Sequence, residues 1–208
     1  MQSIRYKFIE LILIFIAIPV SYNFNYSPIL KLIIGVFGFI YVTYVLLKIE
    51  KNKFNINKNL KWKTFWKSTL IKFLIIAIIT SVFVWFTDSK SLFIVVINKP
   101  KLWIIILLFY ALFSVYPQEL IYRTFFFQRY KNLFKNEFIF ILINAALFSL
   151  AHIFFKSSLV LAFTFIGGIL FAYTYQKTKS TLLVSIEHAI YGCWLFTVGM
   201  GTMLGFPS

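Results

Sequence analysis

Acidic side chains are scarce: six Asp and Glu stand against 21 Lys and Arg in 208 residues, a formal charge of +15. Cysteine occurs once, as Cys193, so the chain can build neither a disulfide framework nor a Cys-rich metal site. Histidine occurs twice. Charged residues make up only 13% of the chain, whereas 61% is hydrophobic and 21% aromatic. A water-soluble domain draws about a quarter of its residues from Asp, Glu, Lys and Arg, and a chain with so few cannot cover its apolar surface in water. Lipid is the solvent this composition demands. The sequence also lacks a Gly-rich phosphate loop, an internal repeat and a separate polar domain, which leaves a single membrane domain over residues 1–208.

What is there is a series of long apolar runs. About 20 mostly apolar residues carry a helix across the hydrocarbon layer, and seven stretches meet that length approximately: 8–22, 29–47, 68–87, 102–122, 138–155, 158–176 and 181–204. The expected fold is therefore an all-α, polytopic membrane helical bundle of about seven transmembrane helices. No small-residue cleavage site follows the first run, which reads as a retained span rather than a signal peptide. Cytoplasmic loops carry an excess of Lys and Arg. With the N-terminus in the cytoplasm and the C-terminus outside, 14 cations fall in inside segments and 4 in outside ones. The basic excess thus sets orientation. The longest basic stretch, Lys48 to Lys67, with interleaved aromatics, is suited to anionic headgroups, so the bilayer and not nucleic acid is its expected partner. Glu10 and Lys72 lie near span ends and are expected to snorkel, and Arg129 and Tyr130 in FFFQRY are expected at headgroup level. Gly167 and Gly168 in FIGGILFA point to close helix packing.

Ionisable side chains within spans are costly and mark function. Away from span ends these and the strongly polar side chains beside them are few: Gln118, Glu119 and Arg123 in the fourth run, His152 in the fifth, and Glu187 and His188 in the seventh. Both histidines and two of the six acids are spent here. Glu119 and Arg123 are at i and i+4, one helix face, within reach of an ion pair. A hairpin turning near residue 135 would bring Glu119 and His152 to one depth, each roughly 25 Å along its helix. Pro117 withholds one backbone N–H and can kink its helix. A carboxylate and two imidazoles in a dry site could act on water in two ways. Glu119, His152 and His188 could hold Zn²⁺ with an open position, or Glu119 could take a proton from water while the histidines hold it and stabilise an oxyanion. Either would hydrolyse an amide, so a membrane-associated peptide or protein is the expected substrate.

These residues resemble the motifs of the CAAX-processing and bacteriocin-processing membrane proteases, also called the abortive-infection family, which include the type II CAAX prenyl endopeptidases. The family pattern is EExxxR, FxxxH and HxxxN or HxxxD. The matching segments are QELIYR (Gln118 to Arg123), FSLAH (Phe148 to His152) and HAIYG (His188 to Gly192), all within about residues 100–200. The resemblance implies an intramembrane endopeptidase of a bacterial plasma membrane, metal-dependent or of glutamate type, with Gln118, Glu119, Arg123, His152 and His188 at the site. It is broken twice: Gln118 stands where the first Glu would, and Gly192 where the Asn or Asp would. Glu119, Glu187, Asn144 and Tyr191 are the groups that could take over those roles. Asn144 could instead bond across helices, Glu187 could bond to a neighbouring span, and Tyr191 could simply pack. Two rival readings follow. One is a catalytically inactive pseudoprotease acting as a membrane scaffold, and the other a small proton-coupled transporter, disfavoured by the lack of a repeat.

Overall fold

The computed structural model describes residues 3–52 and 61–204. Lys53 and Lys58 of the basic stretch lie outside the described residues. The α-helices are Ile4–Ile12 (α1), Ile18–Ser21 (α2), Pro28–Tyr44 (α3), Trp62–Asp88 (α4), Ile94–Asn98 (α5), Pro100–Phe109 (α6), Tyr116–Glu119 (α7), Phe126–Tyr130 (α8), Glu137–Leu150 (α9), Ser158–Thr178 (α10) and Thr181–Thr197 (α11). There is no strand among the described residues. Wider π-helical turns at Leu13–Ala17, Val45–Ile49, Tyr110–Val115 and Leu120–Phe125 continue α1, α3, α6 and α7 without a break.

Local chemistry sets where the helices begin. Ser3, Asn136, Ser157 and Ser180 each accept the backbone N–H three residues on, at 3.1–3.3 Å, satisfying one of the orphan donors at the starts of α1, α9, α10 and α11. Pro28 and Pro100 open α3 and α6, where a missing N–H costs nothing. Lys179, in the left-handed region at φ 51°, ends α10.

Five helices among the described residues are long and apolar enough to cross a membrane: Pro28–Ile49, Trp62–Ser91, Pro100–Leu133, Glu137–Phe155 and Ser158–Thr178. Outward-facing Phe37, Leu74, Ile78, Trp85, Phe86 and Phe113 are each more than half exposed, a dense apolar surface that only lipid can solvate. The chain is an integral membrane protein. Two of the seven expected spans do not meet the same test. The helical stretch from Ile4 to Ser21 carries Arg5, Lys7 and Glu10. The last helix, α11, has 17 residues, about 26 Å at 1.5 Å per residue against a core of about 30 Å. It stops because Gly199 takes φ +107°, beside the Ser91 carbonyl, where a Cβ would stand 2.8 Å from the Ser91 carbonyl carbon.

The helices form two compact units, Met1–Ile56 with Gln118–Lys179, and Asn57–Pro117 with Ser180–Ser208. The first has an aromatic centre. Phe15, fully buried, meets the rings of Phe126 at 5.1 Å, Tyr122 at 5.2 Å and Tyr130 at 5.9 Å, all edge to face. Gly168 of α10 lies against Ala145 of α9, where a Cβ would stand 2.9 Å from the Ala145 Cα, so the close packing expected of the Gly pair belongs to Gly168. Arg129 and Tyr130 are buried inside the first unit. Arg129 is 1% exposed and donates to Glu10 at 2.7 Å and to Glu50 at 2.9 Å, and the Tyr130 hydroxyl donates to Glu10 at 3.1 Å. Glu10 therefore does not snorkel. Its carboxylate turns inward because a guanidinium and the hydroxyls of Tyr41 and Tyr130 replace water around it.

In the second unit α4 and α11 are joined by polar contacts. The Trp194 indole N–H donates to Thr80 Oγ1 at 2.9 Å, and the Tyr191 hydroxyl reaches the Thr69 carbonyl at 3.1 Å. Lys72 does not snorkel either: its ammonium forms an ion pair with Glu187. The helix begins at Trp62, so Lys72 stands about 15 Å along it rather than near an end.

Candidate active site

Glu119 closes α7 and Arg123 lies in the π-helical turn that follows, both with no exposed side-chain surface. The i, i+4 spacing brings Arg123 Nε within 3.2 Å of Glu119 Oε2. A buried guanidinium needs more than one acceptor, and the first unit provides another in Asn144 of α9, whose Oδ1 accepts from Arg123 Nη1. The Asn144 amide then donates to the Tyr122 carbonyl at 2.7 Å. A π-helical turn displaces the usual i to i−4 ladder and leaves carbonyls open to such a donor. Asn144 therefore bonds across helices and holds Arg123, the second of the two roles open to it.

The FxxxH motif has a direct reading here. Phe148 is 1% exposed, and the Arg123 guanidinium lies over its ring at 4.8 Å from the centroid. The other side of the contact is His152, edge to face with Phe148 at 5.0 Å. Phe148 thus links the Glu119 and Arg123 pair to His152 within one unit. His152 itself is two residues past the last helical residue, Leu150, with its ring stacked on Phe155 at 6.0 Å. Its Nδ1 is 2.8 Å from the Phe148 carbonyl. A carbonyl only accepts, so Nδ1 carries a hydrogen, and in the neutral form of the ring the lone pair is on Nε2. Gln118, half-buried, precedes Glu119 on the same turn, and its neutral amide has no carboxylate basicity.

The second unit holds His188 on α11, 6% exposed. Its Nε2 is 3.1 Å from the Tyr110 hydroxyl. Glu187, next in sequence, is fully buried and used elsewhere: Oε1 takes the Lys72 ammonium and the Tyr191 hydroxyl, the latter at 2.9 Å, while Oε2 has no hydrogen-bond partner. Glu187 and Tyr191 therefore fasten α11 to α4. Sequence reasoning missed Tyr110 and Lys72. Tyr110 lies 78 residues from its histidine, and the one signal for it was the empty position at Gly192.

Among the described residues no group of three or more His, Cys, Asp or Glu side chains is arranged to hold a metal ion.

The family model described as type II CAAX prenyl endopeptidase Rce1-like matches residues 100–205. That segment contains QELIYR, FSLAH and HAIYG with all five predicted site residues. No curated protein and no solved structure matches the chain.

Proposed function

Because the chain belongs to the Rce1-like family of type II CAAX prenyl endopeptidases, we propose that it is an intramembrane endopeptidase that hydrolyses a peptide bond of a membrane-associated peptide or protein. The observation that carries the reading is the buried constellation of Glu119, Arg123, Asn144 and Phe148 leading to His152. Intramembrane charge of this kind is expensive, and every polar atom of the Asn144 side chain is committed to holding it.

The base changes identity relative to the expectation for Glu119. Glu119 is engaged by Arg123 at 3.2 Å, whereas His152 has Nδ1 anchored on the Phe148 carbonyl and its Nε2 is the proposed base. In the proposed step the water oxygen bonds to the scissile carbonyl carbon as its proton passes to His152 Nε2. The imidazolium then returns that proton to the departing amine as the C–N bond breaks. Glu119 holds Arg123 against Phe148, the ring that packs on His152, and His188 of the second unit is proposed as a further hydrolytic residue that donates an N–H. Gln118 orients water by hydrogen bonding.

The test is cleavage of a quenched fluorescent peptide carrying a farnesylated cysteine, beside an unprenylated, acyl-anchored control, by the purified protein in liposomes. His152→Ala should lower kcat by about 100-fold or more, the usual scale of a positioned base, with the helical circular dichroism unchanged. Cleavage of both peptides places specificity in the anchor generally, and cleavage of the first alone in the prenyl group. Full activity in the His152 variant refutes the mechanism.

A second reading, the scaffold without catalysis, is favoured by one observation: Glu119 is tied to Arg123 while Gln118 stands at the position of the missing Glu. It predicts no cleavage of either peptide and retention of a membrane-protein partner by His152→Ala.

A further inference from the structure

Position 192 has no side chain, and the space beside it is filled from another helix. A Cβ built on Gly192 would stand 2.5 Å from Tyr110 Cε1 and 2.6 Å from Cζ, and closer still to the hydroxyl oxygen. Real Cβ contacts do not come under about 3.0 Å. The ring of Tyr110 and any side chain at 192 therefore exclude each other. Gly192 lies one helical turn beyond His188 on α11, the distance at which side chains share a face. The hydroxyl that occupies this place is the one bonded to His188 Nε2 at 3.1 Å.

Tyr110 is itself held. It opens the π-helical segment Tyr110–Val115, and its ring packs edge to face on Phe196 at 4.8 Å and on His188 at 6.0 Å. Two aromatic contacts on one rigid side chain leave its hydroxyl little freedom. A second-sphere partner fixes which nitrogen of a histidine bears the hydrogen and how the ring is turned.

We propose that Tyr110 is a positioning residue of the active site: its hydroxyl, lodged where the side chain of residue 192 would be, holds the imidazole of His188 through Nε2. The inference rests on the proposed reading of His188 as a hydrolytic residue. It accounts for the Gly at the motif's Asn or Asp position, since a phenol delivered by the Tyr110 segment does the holding and a side chain at 192 would displace it.

The chain's two histidines make the test direct. The protein is labelled with ¹⁵N in the imidazoles, placed in lipid nanodiscs and compared with Tyr110→Phe, which keeps the ring and its contacts and removes only the hydroxyl. His152→Ala assigns the signals. The expected result is a shift of the His188 Nε2 resonance with the His152 signals in place. Unmoved His188 signals overturn the contact, whether or not any peptide is cleaved, so this arm fails separately from the protease reading. With a cleaved peptide in hand, Tyr110→Phe should lower kcat about 10-fold, the equivalent of one hydrogen bond of about 1.4 kcal/mol, and leave KM unchanged. An unchanged kcat beside a shifted imidazole overturns the positioning role. Gly192→Asn should be as impaired as Tyr110→Ala, and the double variant Tyr110→Ala/Gly192→Asn should be more active than either, because the new amide enters the space the ring has left. A double variant no better than the singles also overturns the proposal.

Discussion

Replacing Lys72 by Met tests how strongly α11 is fastened to α4. The substitution keeps the length and much of the apolar stem of the side chain and removes the ammonium. Glu187 has no exposed surface, and its Oε2 has no hydrogen-bond partner, so Lys72 and the Tyr191 hydroxyl on Oε1 are its polar contacts in the second unit. One neutral hydroxyl cannot compensate a buried carboxylate. Breaking a buried pair by removing one partner costs about 3–5 kcal/mol, while replacing both by apolar groups of similar volume is close to neutral. Lys72 is 21% exposed in its side chain, so water screens the pair only slightly. For a chain of this size about 1 kcal/mol moves the unfolding midpoint by 2–4 °C. The single variant should therefore unfold roughly 6–20 °C below the parent in detergent. Lys72→Met/Glu187→Leu should recover most of the loss. The assay is thermal unfolding followed by circular dichroism and by the accessibility of Cys193 to a thiol reagent. A single variant as stable as the parent, or a double variant no better than the single, would refute the argument that Glu187 depends on Lys72.

Two further outcomes follow from the first unit. Arg129→Met leaves both Glu10 and Glu50 without their guanidinium and should destabilise by about 3–5 kcal/mol, read as loss of monodisperse protein in detergent. Gly168→Val drives a branched side chain into the Ala145 backbone and should cost about 1–3 kcal/mol, visible as a lowered midpoint, whereas Gly38→Val, with nothing within 4 Å of its Cβ, serves as the matched control.

Local spacing was the readable part of this molecule. Glu119 and Arg123 sit one turn apart on any helix, and their ion pair follows from i, i+4 geometry alone. The turn expected between the fourth and fifth runs is found at 131–136, where Asn136 caps α9. The apolar runs likewise mark the helices, though the end runs, with their charges or shorter length, do not stand out as spans. Contacts that depend on how the helices pack were hidden. Lys72, Glu10 and Arg129 all looked like residues near the ends of apolar runs. Their inward turn depends on partners 115 and 119 residues away. The grip of Asn144 needed a carbonyl opened by a π-helical turn, which no periodicity reveals. Gly192 was visible only as an omission. What filled it required the coordinates of Tyr110.

The segment that matches the family, residues 100–205, is not the segment that can stand alone. Cut to those limits, the protein would keep Arg129 but lose Glu10 and Glu50, and would keep Glu187 but lose Lys72. Each unit would then carry a buried ion stripped of its counterion. The first hundred residues act as the salt that neutralises the motif-bearing helices, and any minimal version of this protein must either retain them or have both charges designed out.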